Sequence, residues 1–330
     1  MSASFRRGLA ALSAAAFGIA AFCMPLSATA QDYPNRPIRL LVDGPAGGVN
    51  DIWARRYGQR ISESLGQPVV VDNRPGASGS IAAEALARSA PDGYTMFFGG
   101  MNPLVAFPGA GGQVRYDPAK DFTAVGVGTL GYPMLVVYNG TGIKTVADLI
   151  AQAKAKPEEL ICGTSGHAGL QHFACVYLEQ MLGIKLRTVP YKGSSAALLD
   201  AANGAVQIAI GYASELEPLT TPGKLVAIAA LSPNRMPKYP SAPTLAEAGY
   251  PGLDLIAFSG FFVPAGTPRP IVDKLNVATI KAMQRPEMTE WLKSLGGTYE
   301  PLNPDDFAKL VAREQAKWKK MSAETGIKVE

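Results

Sequence analysis

The chain has 330 residues, 47% of them hydrophobic and 18% charged, with a formal net charge of +4. That composition supports a buried core and excludes a disordered polyelectrolyte. The near-neutral balance, with no clustered basic face, excludes a nucleic-acid-binding surface.

The first element is a targeting signal. Arg6 and Arg7 precede an apolar run from Leu9 to Phe22, followed by Pro25 and Ala28-Thr29-Ala30. A basic head, a short apolar centre and a small-residue cleavage site predict a cleaved signal peptide over 1–30, export to the periplasm and a mature chain from Gln31. The apolar run is too short to span a bilayer. Phe22 stands where a lipobox before Cys23 needs a small residue, and loss of Arg6 and Arg7 lowers the net charge to +2.

Strand and helix signals then alternate. "PIRLLV" predicts a strand, and "DIWARRYGQRISESL" a helix with Trp53, Tyr57, Ile61 and Leu65 four apart and Gly66 as its stop. "QPVVVDN", the turn "RPGASGS", the helix "IAAEALARSA" and the strand "YTMFFGG" follow. This order predicts a parallel sheet with helices on its faces. Residues 101–122 are Gly/Pro-rich and read as loop, leading into the extended runs "TAVGVGTL" and "PMLVVYN". A second α/β block runs from "TVADLIAQAKAKP" to a short helix at "TLAEAGYPG". "LIAFSGFFVPAG" is apolar and extended. It is followed by a helix capped by Thr267 with Pro268 in its first turn, then by "PEMTEWLKSLGG". A last helix from Asn303-Pro304 places Phe307, Leu310, Val311, Trp318 and Met321 on one face.

Several chemistries lack their residues. No phosphate-binding G-x-x-x-x-G-K-[ST] or G-x-G-x-x-G stretch is present, so no cofactor is expected. "GTSGH" and "GASGS" both miss the nucleophile elbow, and the chain has only His167 and His172, so an exported hydrolase is disfavoured and no catalytic residue is assigned. Cys162, His167, His172 and Cys175 have no zinc-finger spacing, and no metal is expected there. The two cysteines read most simply as small buried residues. Export permits a disulfide, but sequence does not supply the Cα separation it needs.

What remains is three small-residue loops between strands and helices: "GPAGGVND" (44–51), "GTSGHAG" (163–169) and "YKGSSAA" (191–197). Helix N-termini offer unsatisfied N–H groups and a positive dipole end. Hydroxyls of Thr164, Ser165, Ser194 and Ser195 would add donors. Converging at strand carboxyl ends, such loops form an anion site without a cofactor.

"YPNRPIRLLV", "LGQPVVVDNRPGASGSIAAEALARSAPDGYT", "YDPAKDF", "VPYKGSSAAL", "APTLAEAGYPG" and "PAGTPRPIVDKLN" occur in this order along the mature chain. It resembles the Bug-type periplasmic receptors, the substrate-binding subunits of tripartite tricarboxylate transporters. The resemblance implies a type II periplasmic binding protein: two α/β domains, 31–131 plus 256–330 and 132–255, with a ligand cleft and hinge between them. It also implies a monomer that captures a small organic carboxylate, di/tricarboxylate or aromatic, and delivers it to the permease subunits; some members are thought to act as sensors instead. Carried onto this chain, the cleft takes Ala46, Gly47 and Gly48 from one side and Thr164, Ser165, Gly193, Ser194 and Ser195 from the other. Asn50, Asn102, His167 and Tyr212 complete the candidate set. Asp43-Gly44 replaces the family's usual Pro-Phe pair, and Gly211-Tyr212 stands where many members carry Asp-Asn. The latter weakens the case for an amino-acid ligand, and Tyr132, Tyr212 and Phe258 could stack on a larger one.

Overall fold

Glycine sits at the turns after β1, β2 and β3, as the sequence had marked. The computed structural model describes residues 33–165, 170–191, 193–294 and 299–326, so the signal segment 1–30, Cys23 and His167 lie outside the described residues. Strand β1 (Ile38–Val42) is buried except at Arg39. Helix α1 (Val49–Leu65) follows behind Gly48 and stops at Gly66, whose left-handed φ of 69° lets its N–H close onto Ser62 O. Tyr57 and Ile61 of the spacing-four stripe are fully buried, while Trp53 and Leu65 are half-buried at its ends. Strand β2 (Val69–Asn73), helix α2 (Ser80–Ala87) and strand β3 (Thr95–Gly100) complete the unit, with β1 parallel to both neighbours.

Strand β4 (Phe122–Gly131) passes through Tyr132 alone into β5 (Pro133–Tyr138). The second block then runs α3 (Val146–Ala155), β6 (Ile161–Thr164), α4 (Leu170–Leu182), β7 (Arg187–Pro190), α5 (Ser194–Ala202), β8 (Ile208–Tyr212), α6 (Ala213–Thr220) and β9 (Leu225–Ala230). Helix α3 is opened by a reciprocal cap: Asp148 N donates to Thr145 Oγ1 and Thr145 N to Asp148 Oδ2. The chain returns through β10 (Ala257–Pro264) to α7 (Arg269–Met283), α8 (Pro286–Ser294) and α9 (Pro304–Thr325).

Among the described residues the strands form two five-stranded sheets, in the orders β2-β1-β3-β10-β4 and β7-β6-β8-β5-β9. Each is mixed rather than purely parallel: β10 is antiparallel to β3 and β4, and β5 is antiparallel to β8 and β9. Phe307 of α9 packs flat on β10 at Gly260, where a Cβ would lie 2.3 Å from the ring. Phe173 of α4 and Trp318 of α9 meet edge to face at 4.7 Å, joining a helix of the second block to the last helix.

Four local expectations are corrected. Residues 101–106, read as loop, form a π-helical turn that buries Met101, Leu104, Val105 and Ala106. The helix expected at "TLAEAGYPG" is a turn; Thr244 and Glu247 close it, and Gly249 at φ 94° ends it before Pro251. Thr267 turns its hydroxyl back to Pro264 O, so Pro268 becomes the cap of α7 and the helix starts at Arg269. Cys162 and Cys175 are joined in a disulfide, with Cα atoms 6.5 Å apart, because α4 folds directly back over β6.

That bond joins cysteines 13 positions apart, on either side of the 163–169 segment in the sequence. Replacing both cysteines by alanine is expected to cost about 2–4 kcal/mol. Urea unfolding of the oxidised wild type and the double variant measures this, and the variant should be indifferent to dithiothreitol.

Candidate functional site

Pairing register brings the carboxyl edges of the two sheets together. Gly131, at the end of β4, pairs with Ala257, and Ser259 two residues later pairs with Gly100 at the end of β3. Pro133, two residues after Gly131, pairs with Tyr212 at the end of β8, and β8 lies parallel to β6, which ends at Thr164. The 131–133 crossing therefore sets the ends of β1 and β3 and the ends of β6 and β8 beside the same short stretch of chain. Ala46, Gly47, Gly48, Asn50 and Asn102 follow strands of the first sheet. Thr164, Ser165, Gly193, Ser194, Ser195 and Tyr212 follow or end strands of the second.

The first loop is held from within. Gly47 has φ 79° and donates its N–H to Asp51 Oδ2 at 2.8 Å, and Gly48 donates to Pro45 O at 3.0 Å. The left-handed residue is thus Gly47. Gly48 is extended, and a Cβ there would sit 3.0 Å from Pro45 O. Arg55 donates to Asp51 and to Asn73 Oδ1, and Asn73 donates to Gly44 O, so the loop is tied to α1 and to the end of β2. The Arg55 hydrogen bond, with the Gly47 amide, holds the Asp51 carboxyl below the usual range. Pro45, Ala46 and Gly47 are exposed.

Asp43, which the sequence reading treated only as a departure, ends β1 inside this network. It is half-buried, and Asn50 Nδ2 donates to its Oδ1 at 2.6 Å. Gly79 and Gly99 flank it so closely that a Cβ at Gly99 would lie 2.7 Å from Oδ2. Burial pushes its carboxyl up to about 6, against a smaller opposing effect of the Asn50 hydrogen bond.

On the second side the hydroxyls point differently from expectation. Ser194 donates to Glu215 Oε1, and Glu215 Oε2 accepts the Tyr212 N–H at 3.1 Å. Ser165 donates to Gln171 Oε1 at 2.6 Å. Both hydroxyls donate internally, because helices α4 and α6 bring acceptors against them. Thr164 is fully buried, Ser195 and Asn102 are exposed, and Gly193 precedes α5 at φ 128°. The Tyr212 ring lies against Gly131; burial first and then Glu215 raise its hydroxyl well above the usual range.

The other aromatic candidates lie elsewhere. Phe258 is core, edge to face with Phe307 at 5.7 Å. Tyr132 lines a separate cavity of about 340 Å³ with Leu130, Asp254, Glu300, Lys309 and Arg313. Among the described residues no group of three or more His, Cys, Asp or Glu is placed to hold a metal, and no helix is long and apolar enough to cross a membrane. Asp43, Asp51, Gln171 and Glu215 are the site residues that sequence reasoning missed. Their only local signal was an acid or amide within the first turn of a helix that follows a candidate loop or, for Asp43, a broken family pattern.

Comparison with known proteins places the chain among receptors. The family model described as "Tripartite tricarboxylate transporter family receptor" matches residues 53–327. BugT of Bordetella pertussis is 34% identical over 315 residues, covering 94% of each chain. Rpa4515 of R. palustris, solved with adipate, is 33% identical with a TM-score of 0.74, covering 90% of this chain and 99% of that one. MatC (Rpa3494) of Rhodopseudomonas palustris, solved with bound malate, is 30% identical with a TM-score of 0.72, covering 88% and 99%.

The raised Asp43 carboxyl has a consequence for stability. The folded chain binds that proton more tightly than the unfolded chain, so the contribution is full below about pH 4 and is lost as pH rises to about 6. Asp43→Asn is expected to match the wild type near pH 4 and to exceed it by up to about 3 kcal/mol at pH 8. Urea unfolding across that range checks it.

Proposed function

We propose that this chain, which belongs to the tripartite tricarboxylate transporter receptor family, captures a small organic carboxylate between the loops at the facing carboxyl edges of its two sheets. Receptors of this kind are binding proteins, not enzymes. The observation that supports the reading is the crossing at 131–133, which sets strand ends of both sheets side by side, with small-residue loops and the starts of α1 and α5 following those strands. Helix N-termini and loop amides supply the positive potential that a carboxylate needs, without a cofactor. The ligand would meet Ala46, Gly47, Gly48, Asn50 and Asn102 on one side and Ser165, His167, Gly193, Ser194, Ser195 and Tyr212 on the other. Thr164 would act through the backbone, since its side chain is buried. That adipate and malate are bound by two similar proteins supports the ligand class.

The finer reading follows from the family. Residues 31–131 plus 256–330 would move as one domain and 132–255 as the other, closing over the ligand about the crossing strands. The mature chain would be a periplasmic monomer, released from a signal peptide over 1–30, and would hand its ligand to the membrane permease subunits of a tripartite transporter.

A ligand that binds only the folded chain raises its stability by about 2.7 kcal/mol at a hundred times Kd. In a thermal-shift screen, at least one mono-, di-, tri- or aromatic carboxylate is expected to raise Tm by several degrees. Its primary amide should bind at least tenfold more weakly, because charge-assisted hydrogen bonds of about 1.5–3 kcal/mol each are lost. Equal affinity for acid and amide would refute the carboxylate grip.

A further inference from the structure

The cavity that holds Tyr132 touches both places where the chain passes between the sheets. Tyr132 is the single residue between β4 and β5. Asp254, Leu255 and Ile256 line the same cavity on the way back to β10, and Leu255 donates its N–H to Leu231 O, just past β9, at 2.7 Å. At about 340 Å³ the cavity lies at the lower end of the range of small-molecule sites, about 300–1,000 Å³. Its lining is divided in chemistry. Leu130, Leu255 and Ile256 are buried and apolar, whereas Glu300, Lys309 and Arg313 are exposed at the mouth. The charges there are nearly all matched. Lys309 pairs with Asp306 at 2.8 Å, Arg313 with Glu314 at 3.1 Å, and Asp254 with Lys317 at 3.1 Å. Glu300 is the exception: among the described residues it enters no ion pair within 4 Å. Burial, and then the nearby Glu300 charge, raise the Tyr132 hydroxyl above its usual range, so the unmatched acid and the phenol share one space.

We propose that this cavity is a second binding site, for a small organic ammonium whose apolar body packs on Leu130, Leu255 and Ile256 and whose charged head pairs with Glu300 at the mouth. Charge complementarity selects the class. A neutral guest would leave Glu300 unmatched, and an anionic one would be repelled by it. Lys309 and Arg313 do not oppose an ammonium strongly, because Asp306 and Glu314 already neutralise them. The apolar floor supplies the burial that an ion pair at an exposed mouth cannot, since such a pair alone contributes little. The occupant would lie against both connections between the sheets, at Tyr132 and at 254–256. Ammonium binding here requires nothing of the loops at 44–51 or 193–195, so it stands or falls apart from carboxylate capture.

Two probes of matched shape test it: 2-phenylethylamine, which is an ammonium at pH 7, and the uncharged 2-phenylethanol. Calorimetry on the purified protein at low ionic strength should show the ammonium binding one to one and at least fivefold more tightly than the alcohol, the scale of one exposed ion pair. Added salt should narrow that difference. In Glu300→Gln, which is nearly isosteric and changes an exposed side chain, the preference should fall below twofold while affinity for the alcohol and Tm stay as in the wild type. Glu300→Lys, which reverses the charge at the mouth, should make the ammonium the weaker of the two probes. Circular dichroism confirms that both variants fold. No saturable binding of the ammonium, equal affinity for the two probes, or a preference that survives Glu300→Gln would overturn the proposal.

Discussion

The site depends on one constraint: a strand that leaves one sheet and enters the next with a single residue between. Gly131 is still paired in the first sheet and Pro133 is already paired in the second. No loop intervenes to let the sheets drift apart or rotate freely. Because β4 is antiparallel to β10, and β10 to β3, β4 runs the same way as the parallel strands β1 and β3, so its end coincides with theirs. The opposite relation holds in the second sheet, where β5 begins at the edge where β6 and β8 finish. The facing loops follow from hydrogen-bond register alone. The Phe173–Trp318 contact adds a second link, carried by α9.

Within that frame the loops are already organised before any ligand arrives. Gly47 adopts its left-handed backbone because Asp51 accepts its amide, and Asp51 can do so as a carboxylate because Arg55 holds it ionised. An incoming carboxylate at Gly47 would compete with a charge-assisted bond of its own kind, a near-even exchange. Affinity at this loop then comes mostly from the positive end of α1 and from groups that Asp51 does not occupy. The second side differs. Glu215 accepts the Ser194 hydroxyl on one oxygen and the Tyr212 amide on the other, which ties the start of α5 to the start of α6.

The parts of this arrangement that were legible in the sequence are the local ones. An apolar run located β1, and helical apolar spacing located α1 and the last helix, since burial of Tyr57, Ile61, Phe307 and Trp318 needs no knowledge of distant chain. Glycine between strand and helix marked the loops for the same reason. The family resemblance supplied the two-sheet architecture, which spacing could not. What escaped was set by residues far apart in the chain. The disulfide requires α4 to fold back over β6. The direction of the Ser194 proton depends on Glu215, twenty-one positions away. The raised carboxyl of Asp43 comes from burial, in a place where Gly79 and Gly99 from two other segments pack against it. Asp43, a buried acid just after β1, was visible in the sequence only as a missing proline.

A crystal structure of the protein with a carboxylate that shifts its melting temperature tests the central claim most directly. The account predicts ligand oxygens within hydrogen-bond distance of backbone amides in both 45–50 and 193–195, with the two sheet edges closed around it. A ligand seated instead in the cavity lined by Tyr132, Asp254 and Arg313, with both loops unchanged, would contradict it.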